Sequence, residues 1–307
     1  MTPQVTKGHG TANDFVLVED PHAQQAIPAE TVHALTDRRR GIGADGLIRV
    51  VRSTALAEGD EHVAHADEAV AAGATWFMDY RNADGSIAQM CGNGVRVFAH
   101  YLVTRGLADP ASPVLVGTRG GVKTVTLVPD PTGGSAPWYR VDMGVWRMPL
   151  PETDAGAAAD AVVTTSDQDV ARPAVSVDMG NPHTVVALPD LQQLIGADLA
   201  VAPVVQPVPA DGTNVEFIVV DADGDGDPRT GTLRMRVHER GVGETMACGT
   251  GACAAALAAR FWAGPDGPVD WTVEQPGGPV RVEIEGPRVF LSGPAVLVAD
   301  ATLLPQG

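Results

Sequence analysis

The chain contains one cysteine-centred motif twice. Around Cys91 the sequence reads MCGNGVRVFAHYLVTRG, and around Cys248 it reads ACGTGACAAALAARFWAG. The two cysteines lie 157 positions apart, and the pairs Gly120-Gly121 and Gly277-Gly278 have the same separation. A repeat that stays in register from a cysteine through a helix to the next turn predicts two similar half-molecules. Each half would then present one thiol at the start of a helix.

The bulk properties bound the class of protein. A length of 307 residues accommodates two domains of about 150 residues each. The net charge of −17 argues against nucleic-acid or anionic-membrane partners, because phosphate binding needs clustered Lys and Arg. The N-terminus does not resemble a signal peptide, and no apolar run is long enough to span a membrane. Three cysteines fit a reducing compartment, so we expect a cytoplasmic location.

Short β-branched runs between turn residues predict a strand-rich chain with few helices. The strand candidates are Phe15–Val18, Leu47–Arg52, Trp76–Tyr80, Val122–Val128, Val215–Val220, Thr232–His238, Val280–Ile284 and Val296–Val298. The helix candidates are Ala29–Arg39, Gly92–Arg105, Asp190–Ile195 and Gly249–Trp262. The basic run at residues 37–40 would form the C-terminal turn of the first helix, where cations are favoured, or would reach the substrate. We expect loops at Ser53–Ala74, Asp130–Pro137 and Pro151–Asp169, the last of them mobile.

The segment Ala252–Ala259 carries no charged side chain on any face. A helix that is apolar all round is buried all round, so strands should enclose it. The fold class predicted is therefore α+β, with two pseudo-symmetric domains, each a mainly antiparallel β-roll or barrel around a central helix. The first domain is expected to span residues 1–142 and the second residues 143–293.

The two glycine-flanked cysteines differ from an ordinary buried cysteine. Each is followed by Gly-x-Gly at the start of a helix, where backbone N–H groups and the helix dipole stabilise a thiolate. The same N–H groups bind a carboxylate, and glycine lets a ligand approach the backbone closely. Cys253 instead lies within the apolar helix and is expected to be inert packing.

Several motifs in order resemble those of the diaminopimelate epimerase family. They are GTANDFVLVED, DRRRGIGADGLI, RNADGSIAQMCGNG, MGNPH, TNVEF and ERGVGETMACGTGACAAA, which together run nearly end to end. The resemblance implies two pseudo-symmetric β-roll halves, with the last strand, residues 294–307, returning to the first half. It also implies conversion of LL-2,6-diaminopimelate to the meso isomer without a metal or another cofactor, by a homodimer, in lysine and peptidoglycan-precursor synthesis.

The resemblance also implies the residues of the site. Cys91 would be the proton donor and Cys248 the proton acceptor. The residues expected to line the substrate site are Asn13, Asn82, Asn181 and Asn214. The N–H groups expected to hold the reacting carboxylate belong to Gly92, Asn93, Gly249 and Thr250. Glu239 and Arg240 would meet the distal ammonium and carboxylate, unless they form a solvated surface pair. His183 would support the site, with a packed neutral histidine as the alternative.

One position departs from the family pattern. Some members carry Gln where this chain has Gly46, so no side-chain contact with substrate is available there. Any binding role of Gly46 would have to come from its backbone or from water.

Two other readings of the motifs remain to be weighed. A proline or hydroxyproline epimerase also uses two cysteines, but tends to have His where this chain has Asn93. A redox or metal-binding protein would need a second Cys-His cluster, which the spacing of Cys248 and Cys253 does not provide.

Residues 41–46 match a dinucleotide-binding glycine pattern but do not follow a strand, and residues 221–226 imitate a calcium loop without its final glutamate. The latter is expected to be an acidic hairpin turn.

Overall fold

The computed structural model describes residues 4–59, 63–149, 158–166, 168–221 and 227–304. The chain divides into two compact units, one of Met1–Asp142 with Ser292–Gly307 and the other of Met143–Leu291. We call them unit 1 and unit 2.

The strands in chain order are β1 Gln4–Gly10, β2 Asn13–Glu19, β3 Gly46–Arg52, β4 Trp76–Asn82, β5 Val114–Gly117, β6 Lys123–Val128, β7 Trp138–Val145, β8 Ala161–Thr165, β9 Gln168–Asp178, β10 Pro182–Ala187, β11 Val204–Gln206, β12 Asn214–Val220, β13 Thr230–Glu239, β14 Gly243–Thr245, β15 Asp270–Glu274, β16 Val280–Glu285, β17 Arg288–Pro294 and β18 Val296–Thr302. The helices are α1 Ala29–Thr36, α2 Ser53–Ala57, α3 Ala66–Ala71, α4 Gly92–Thr104, α5 Leu191–Gly196 and α6 Gly249–Ala263.

The two units repeat one order of strand pairing. In unit 1, β1–β2 is antiparallel, β2–β3 parallel, β3–β4 antiparallel, β4–β5 parallel and β5–β6 antiparallel. In unit 2 the same alternation runs through β9–β10, β10–β12, β12–β13, β13–β15 and β15–β16. In unit 1 the chain's last strand, β18, pairs antiparallel with β1, with Gln4 opposite Thr302. The predicted fold class, two similar sheet-dominated halves with few helices, is confirmed.

One long helix packs against the strands of each unit. In unit 1, α4 contacts each of the strands β1 to β6, and it also contacts β18. In unit 2, α6 contacts β9, β10, β12, β13, β15 and β16. Every residue of α6 from Gly251 to Ala259 is buried, as expected for a helix that is apolar on all faces. Its alanines leave room for strands on every side, and Gly264 ends it with a positive φ of 87°.

The structure corrects three predictions about local structure. Helix α1 ends at Thr36, so the basic run after it is a turn and not the end of a helix. The segment Ser53–Ala74 is not all loop, because it contains α2 and α3, whose alanines pack around Phe77 in an apolar cluster. Its low complexity hid this short amphipathic pattern. The segment Pro151–Asp169 contains β8, which pairs with both β9 and β11.

Other predictions concern loops, some of whose residues lie outside the described part of the chain. The segment Asp130–Pro137 is a loop between β6 and β7, as expected. The acidic turn lies between the antiparallel strands β12 and β13, but residues 222–226 fall outside the described part of the chain, as do residues 150–157. Among the helices that the structure describes, none combines the length and apolarity needed to cross a bilayer.

Candidate active site

Cys91 occupies the N-cap of α4. Its backbone is extended, with φ −138° and ψ 120°, and its sulfur accepts a hydrogen bond from the Gly94 N–H at 3.4 Å. The thiol also donates to Asn13 Oδ1 at 3.5 Å, and Asn93 Nδ2 donates to that same oxygen at 3.2 Å. Unit 1 therefore brings together three of the predicted site residues, Asn13, Cys91 and Asn93.

A charged network holds Asn13 in place. Asn13 Nδ2 donates to Asp45 Oδ2 at 2.8 Å, and Arg38 bridges Asp45 and Asp14 at 2.7 and 2.8 Å. Burial alone would raise the pKa of Asp14, but hydrogen bonds from Arg38 and Lys7 hold it well below its usual range. The basic run after α1 thus contributes one arginine that fixes the start of β2, rather than a helix end.

Asn82 and Gly46 face each other across β3 and β4. Asn82 Nδ2 donates to Ser86 Oγ at 3.0 Å within the turn that follows β4. A Cβ built on Gly46 would lie 2.5 Å from the Tyr80 ring and 2.6 Å from the Arg81 carbonyl oxygen. The Tyr80 ring therefore takes the space that a side chain at position 46 would need.

A fully buried arginine supports this half of the site. Arg96, at 0% exposure, lies one turn into α4, and its guanidinium donates to Asn93 Oδ1 at 3.0 Å. It also donates to Thr11 Oγ1 at 3.3 Å. A buried guanidinium next to the N-terminus of α4 adds positive charge to the helix dipole there.

Cys248 occupies the equivalent N-cap of α6 in unit 2. Its backbone is again extended, with φ −128° and ψ 116°, and its sulfur accepts from the Gly251 N–H at 3.4 Å. The Thr250 hydroxyl lies 3.6 Å from the sulfur, and the Cys248 N–H donates to Gln275 Oε1 at 2.9 Å. The same backbone device therefore presents both thiols.

The surroundings of Cys248 favour its neutral form. Burial, followed by the charges of Glu239 and Glu216, raises the pKa of the Cys248 thiol well above its ordinary value. Burial also raises the pKa of Glu239, which hydrogen-bonds Thr245 and Cys248. Glu239 thus lies beside the Cys248 thiol.

His183 forms a buried pair with a carboxylate. Its Nδ1 lies 2.7 Å from Glu216 Oε1, and its Nε2 lies 3.1 Å from Asn181 Oδ1. His183 and Glu216 are 1% and 0% exposed. The pair lies against Asn181 through the His183 ring. It holds Asn181 with its amide N–H groups directed away from His183.

Asn214 connects this half of the site to Arg240. Its Oδ1 accepts from the Arg240 backbone N–H at 2.9 Å, and its Nδ2 donates to the Pro182 carbonyl at 3.3 Å. The Arg240 side chain is exposed and donates to the Asp211 carbonyl. Glu239 and Arg240 are consecutive but point to different surroundings, so they do not act as one surface ion pair.

Each helix start also offers the expected backbone donors. Gly92 and Asn93 open α4, and Gly249 and Thr250 open α6, where N–H groups lack intrahelical acceptors. Such a helix start can hold a carboxylate while the thiol at the N-cap gives or takes a proton. Within the described residues, no group of three or more His, Cys, Asp and Glu side chains is placed to hold a metal ion.

No sequence motif marked Arg96, Glu216 or Gln275 as a site residue. Comparing positions 157 apart would have marked Arg96, because its equivalent is Cys253 in the otherwise apolar α6. Glu216 is the lone charge in an apolar strand, a pattern that indicates a buried carboxylate paired with another side chain. Gln275 follows β15 in a turn and had no sequence pattern that pointed to Cys248.

Comparison with known proteins agrees with this arrangement. The family model described as diaminopimelate epimerase matches residues 5–148 and 175–298. The diaminopimelate epimerase of Streptomyces coelicolor is 44% identical over 96% of this chain and 93% of its own. That of Rhodococcus jostii is 45% identical over 97% of this chain and 96% of its own.

A solved structure shares the fold at low sequence identity. A probable proline racemase from Agrobacterium radiobacter superposes with a TM-score of 0.60 at 16% identity, covering 99% of this chain and 94% of its own. At this identity the likeness concerns the fold alone, so it does not select among two-cysteine epimerases.

Proposed function

The chain belongs to the diaminopimelate epimerase family, and we propose that it converts LL-2,6-diaminopimelate to the meso isomer by a two-cysteine mechanism. It is an isomerase that acts on a small-molecule substrate. One observation carries the proposed mechanism: Cys91 and Cys248 each occupy the N-cap of the long helix in one of two pseudo-symmetric units.

Inversion at an α-carbon needs a base on one face and an acid on the other. In the LL-to-meso direction Cys248 takes the α-proton and Cys91 delivers a proton to the opposite face, and the roles exchange in the reverse direction. Burial raises the pKa of the Cys248 thiol, so its thiolate is a strong base once formed, and the thiol must lose its own proton before it takes the α-proton. The two thiols and the protein's own dipoles supply this chemistry, so no metal or other cofactor takes part.

The carbanion that forms needs stabilisation at the reacting carboxylate. The N–H groups of Gly92, Asn93, Gly249 and Thr250 supply fixed donors that need no reorganisation as the negative charge develops. These donors act at helix starts, where the dipole adds to each hydrogen bond.

The remaining predicted residues would bind the rest of the substrate. Glu239 lies beside Cys248, so we assign it to the ammonium group of the reacting centre. The Arg240 side chain is exposed, and its planar guanidinium would bind the distal carboxylate through two parallel hydrogen bonds. Asn13, Asn82, Asn181 and Asn214 would complete the site, with Asn13 and Asn181 held in single orientations by their own partners. Gly46 would contribute through its backbone at most, and His183 would act through Asn181.

We also propose that the protein is a cytoplasmic homodimer. Within each chain, we propose one domain of residues 1–142 and 294–307 and a second domain of residues 143–293. The low cysteine count and the family resemblance support this. Light scattering during size-exclusion chromatography would measure a mass of two chains, and a mass of one chain would overturn the dimer. Limited proteolysis would place the domain boundary.

Isotope exchange tests the proposed function. The protein is first dialysed against a chelator and then incubated with LL-diaminopimelate in D₂O. We expect it to yield the meso isomer with deuterium at one α-carbon. L-proline should remain unchanged under the same conditions. Racemisation of proline in preference to diaminopimelate, or a requirement for an added metal, would contradict the proposal.

A further inference from the structure

The two units share a turn next to the catalytic cysteine. In unit 1 the Gly121 N–H donates to the Thr118 carbonyl at 3.1 Å, and in unit 2 the Gly278 N–H donates to the Gln275 carbonyl at 2.9 Å. Thr118 and Gln275 are 157 positions apart, like the cysteines. They are therefore equivalent positions in the repeat.

In each unit this turn lies against the segment that leads into the cysteine. The Gly277 N–H donates to the Met246 carbonyl at 2.8 Å, two residues before Cys248. In unit 1 a Cβ on Gly120 would lie 3.2 Å from the Met90 side chain and 3.6 Å from the Gln89 carbonyl oxygen. The turn thus packs against the residues just before the N-cap in both units.

The two side chains do different things. Thr118 closes its own turn, because its hydroxyl donates to the Gly121 carbonyl at 2.6 Å and accepts from the Gly120 N–H at 3.1 Å. Gln275 instead reaches out of its turn, and its Oε1 accepts the Cys248 N–H at 2.9 Å. That N–H belongs to the N-cap residue itself, so the bond acts directly on the residue that carries the thiol.

The orientation of the Gln275 amide follows from this bond. A backbone N–H can only donate, so the acceptor oxygen must face Cys248 and the amide nitrogen must face away from that N–H. Gln275 is only 8% exposed, and its Nε2 is buried without a hydrogen-bond partner among the residues that the structure describes. A buried donor without a partner lowers stability, so packing alone would favour an apolar side chain here.

We propose that Gln275 is a positioning residue for the proton-accepting thiol, anchoring the Cys248 N-cap through Oε1. This inference rests on the proposed catalytic role of Cys248. The anchor keeps the sulfur in its buried setting, where its thiolate is a strong base once formed, and the anchor has no counterpart in the side chain of Thr118.

Two substitutions separate the anchor from simple packing. Gln275→Met keeps the length but removes the acceptor, so the N-cap loosens and water reaches the sulfur. We expect kcat to fall roughly 10-fold to 100-fold with KM little changed, since a displaced reacting group costs up to about 10²-fold. Alkylation of Cys248 by iodoacetamide should shift to lower pH in this variant, because burial is the main cause of the raised pKa.

Gln275→Glu keeps an acceptor oxygen and adds a negative charge. We expect the alkylation of Cys248 to shift to higher pH by about one unit, opposite to Gln275→Met, because a nearby like charge disfavours the thiolate. Peptide mass spectrometry follows the two cysteines separately, and neither substitution should move the alkylation profile of Cys91. A merely structural residue would not give opposite shifts.

Thr118→Val is the matched control in the other unit. It should lower the melting temperature without moving the Cys248 profile. The inference is overturned if Gln275→Met retains parental kcat, or if both Gln275 variants shift Cys248 in the same direction. If instead Cys248→Ala retains full epimerase activity, the proposed two-cysteine mechanism fails, and if the parental protein does not convert LL-diaminopimelate, the proposed function itself fails, so the three failures are distinguished.

Discussion

The two half-sites share a backbone device but differ in the charges buried behind it. Cys91 and Cys248 have nearly the same N-cap conformation, and each sulfur accepts the N–H three residues on at 3.4 Å. In unit 1 the buried guanidinium of Arg96 hydrogen-bonds Asn93, two residues after Cys91, whereas in unit 2 the carboxyl groups of Glu239 and Glu216 act on the Cys248 thiol.

This contrast indicates how a duplicated unit can serve a reaction that is itself asymmetric. The repeated backbone supplies a thiol and helix-start N–H groups twice, which suits inversion at one carbon. In unit 2, burial and then the carboxylates of Glu239 and Glu216 raise the pKa of the Cys248 thiol, because each of them disfavours the thiolate. The position equivalent to Arg96 is Cys253, which is buried in α6.

The largest expected effect comes from removing either thiol. Cys91→Ala and Cys248→Ala should each lower kcat by about 10³-fold or more, because general acid and general base are each worth roughly 10²-fold to 10⁴-fold. Cys253→Ala is the matched control and should lower the melting temperature while kcat stays near the parental value. Chiral chromatography of the diaminopimelate isomers measures all three. Equal loss in the Cys253 variant would remove the distinction between the cysteines.

The next effect concerns the residue that follows the equivalent strands β4 and β13. Arg240 stands in unit 2 where Ala83 stands in unit 1, so only one unit offers a cation there. Arg240→Met should lower kcat/KM about 10-fold to 100-fold, the value of a hydrogen bond to a charged group. Steady-state kinetics should show a raised KM and a lowered kcat, since remote binding energy positions the reacting centre. Parental kcat/KM in this variant would remove Arg240 from the site.

The glycines three residues after each cysteine should respond differently. A Cβ on Gly251 would lie 2.7 Å from Glu216 Oε1, whereas one on Gly94 would meet its neighbours at 3.4 Å or more. Gly251→Ala should lower the free energy of unfolding by about 1–3 kcal/mol, as overpacking does, and reduce kcat by displacing Glu216. Gly94→Ala should have a clearly smaller effect on both. Urea denaturation and kinetics of the pair would show equal losses if the two helix starts had the same surroundings.

The predictable part of the structure was the part that repeats. The 157-residue offset and the apolar run Ala252–Ala259 were enough to predict two halves with enclosed helices, because a helix that is apolar on all faces must be surrounded by other elements. The end of α1 at Thr36 was missed, since Arg38 leaves the helical path to pair with Asp14 and Asp45. Those partners are close only in the folded sheet, so sequence neighbours do not reveal them.

The charges of the site were less predictable than its backbone. Motifs located Cys91, Cys248 and His183, but the carboxyl that pairs with His183 comes from β12, 33 positions further along the chain. The placement of Glu239 beside Cys248 depends on the turn between β13 and β14. Such pairings follow from strand register, which the local pattern alone does not specify.

The smallest expected effect is on stability at high pH. The folded protein keeps the Cys248 proton above the ordinary thiol pKa of 9.0, while the unfolded chain loses it. The folded state then binds more protons, so stability is present below about pH 9 and falls as pH rises above it. Over roughly two pH units above that thiol pKa, Cys248→Ala should make the decline in melting temperature less steep. An unchanged slope would show that Cys248 is not the group responsible.

Site-resolved alkylation tests the central contrast most directly. The two thiols are titrated together with iodoacetamide across neutral and alkaline pH, and each is followed by mass spectrometry of its own peptide. We predict that Cys248 reacts only above the ordinary thiol range, because it is buried beside Glu239 and Glu216, and that Cys91 reacts before it, because its side chain is less buried. Identical profiles, or reaction of Cys248 before Cys91, would contradict the account.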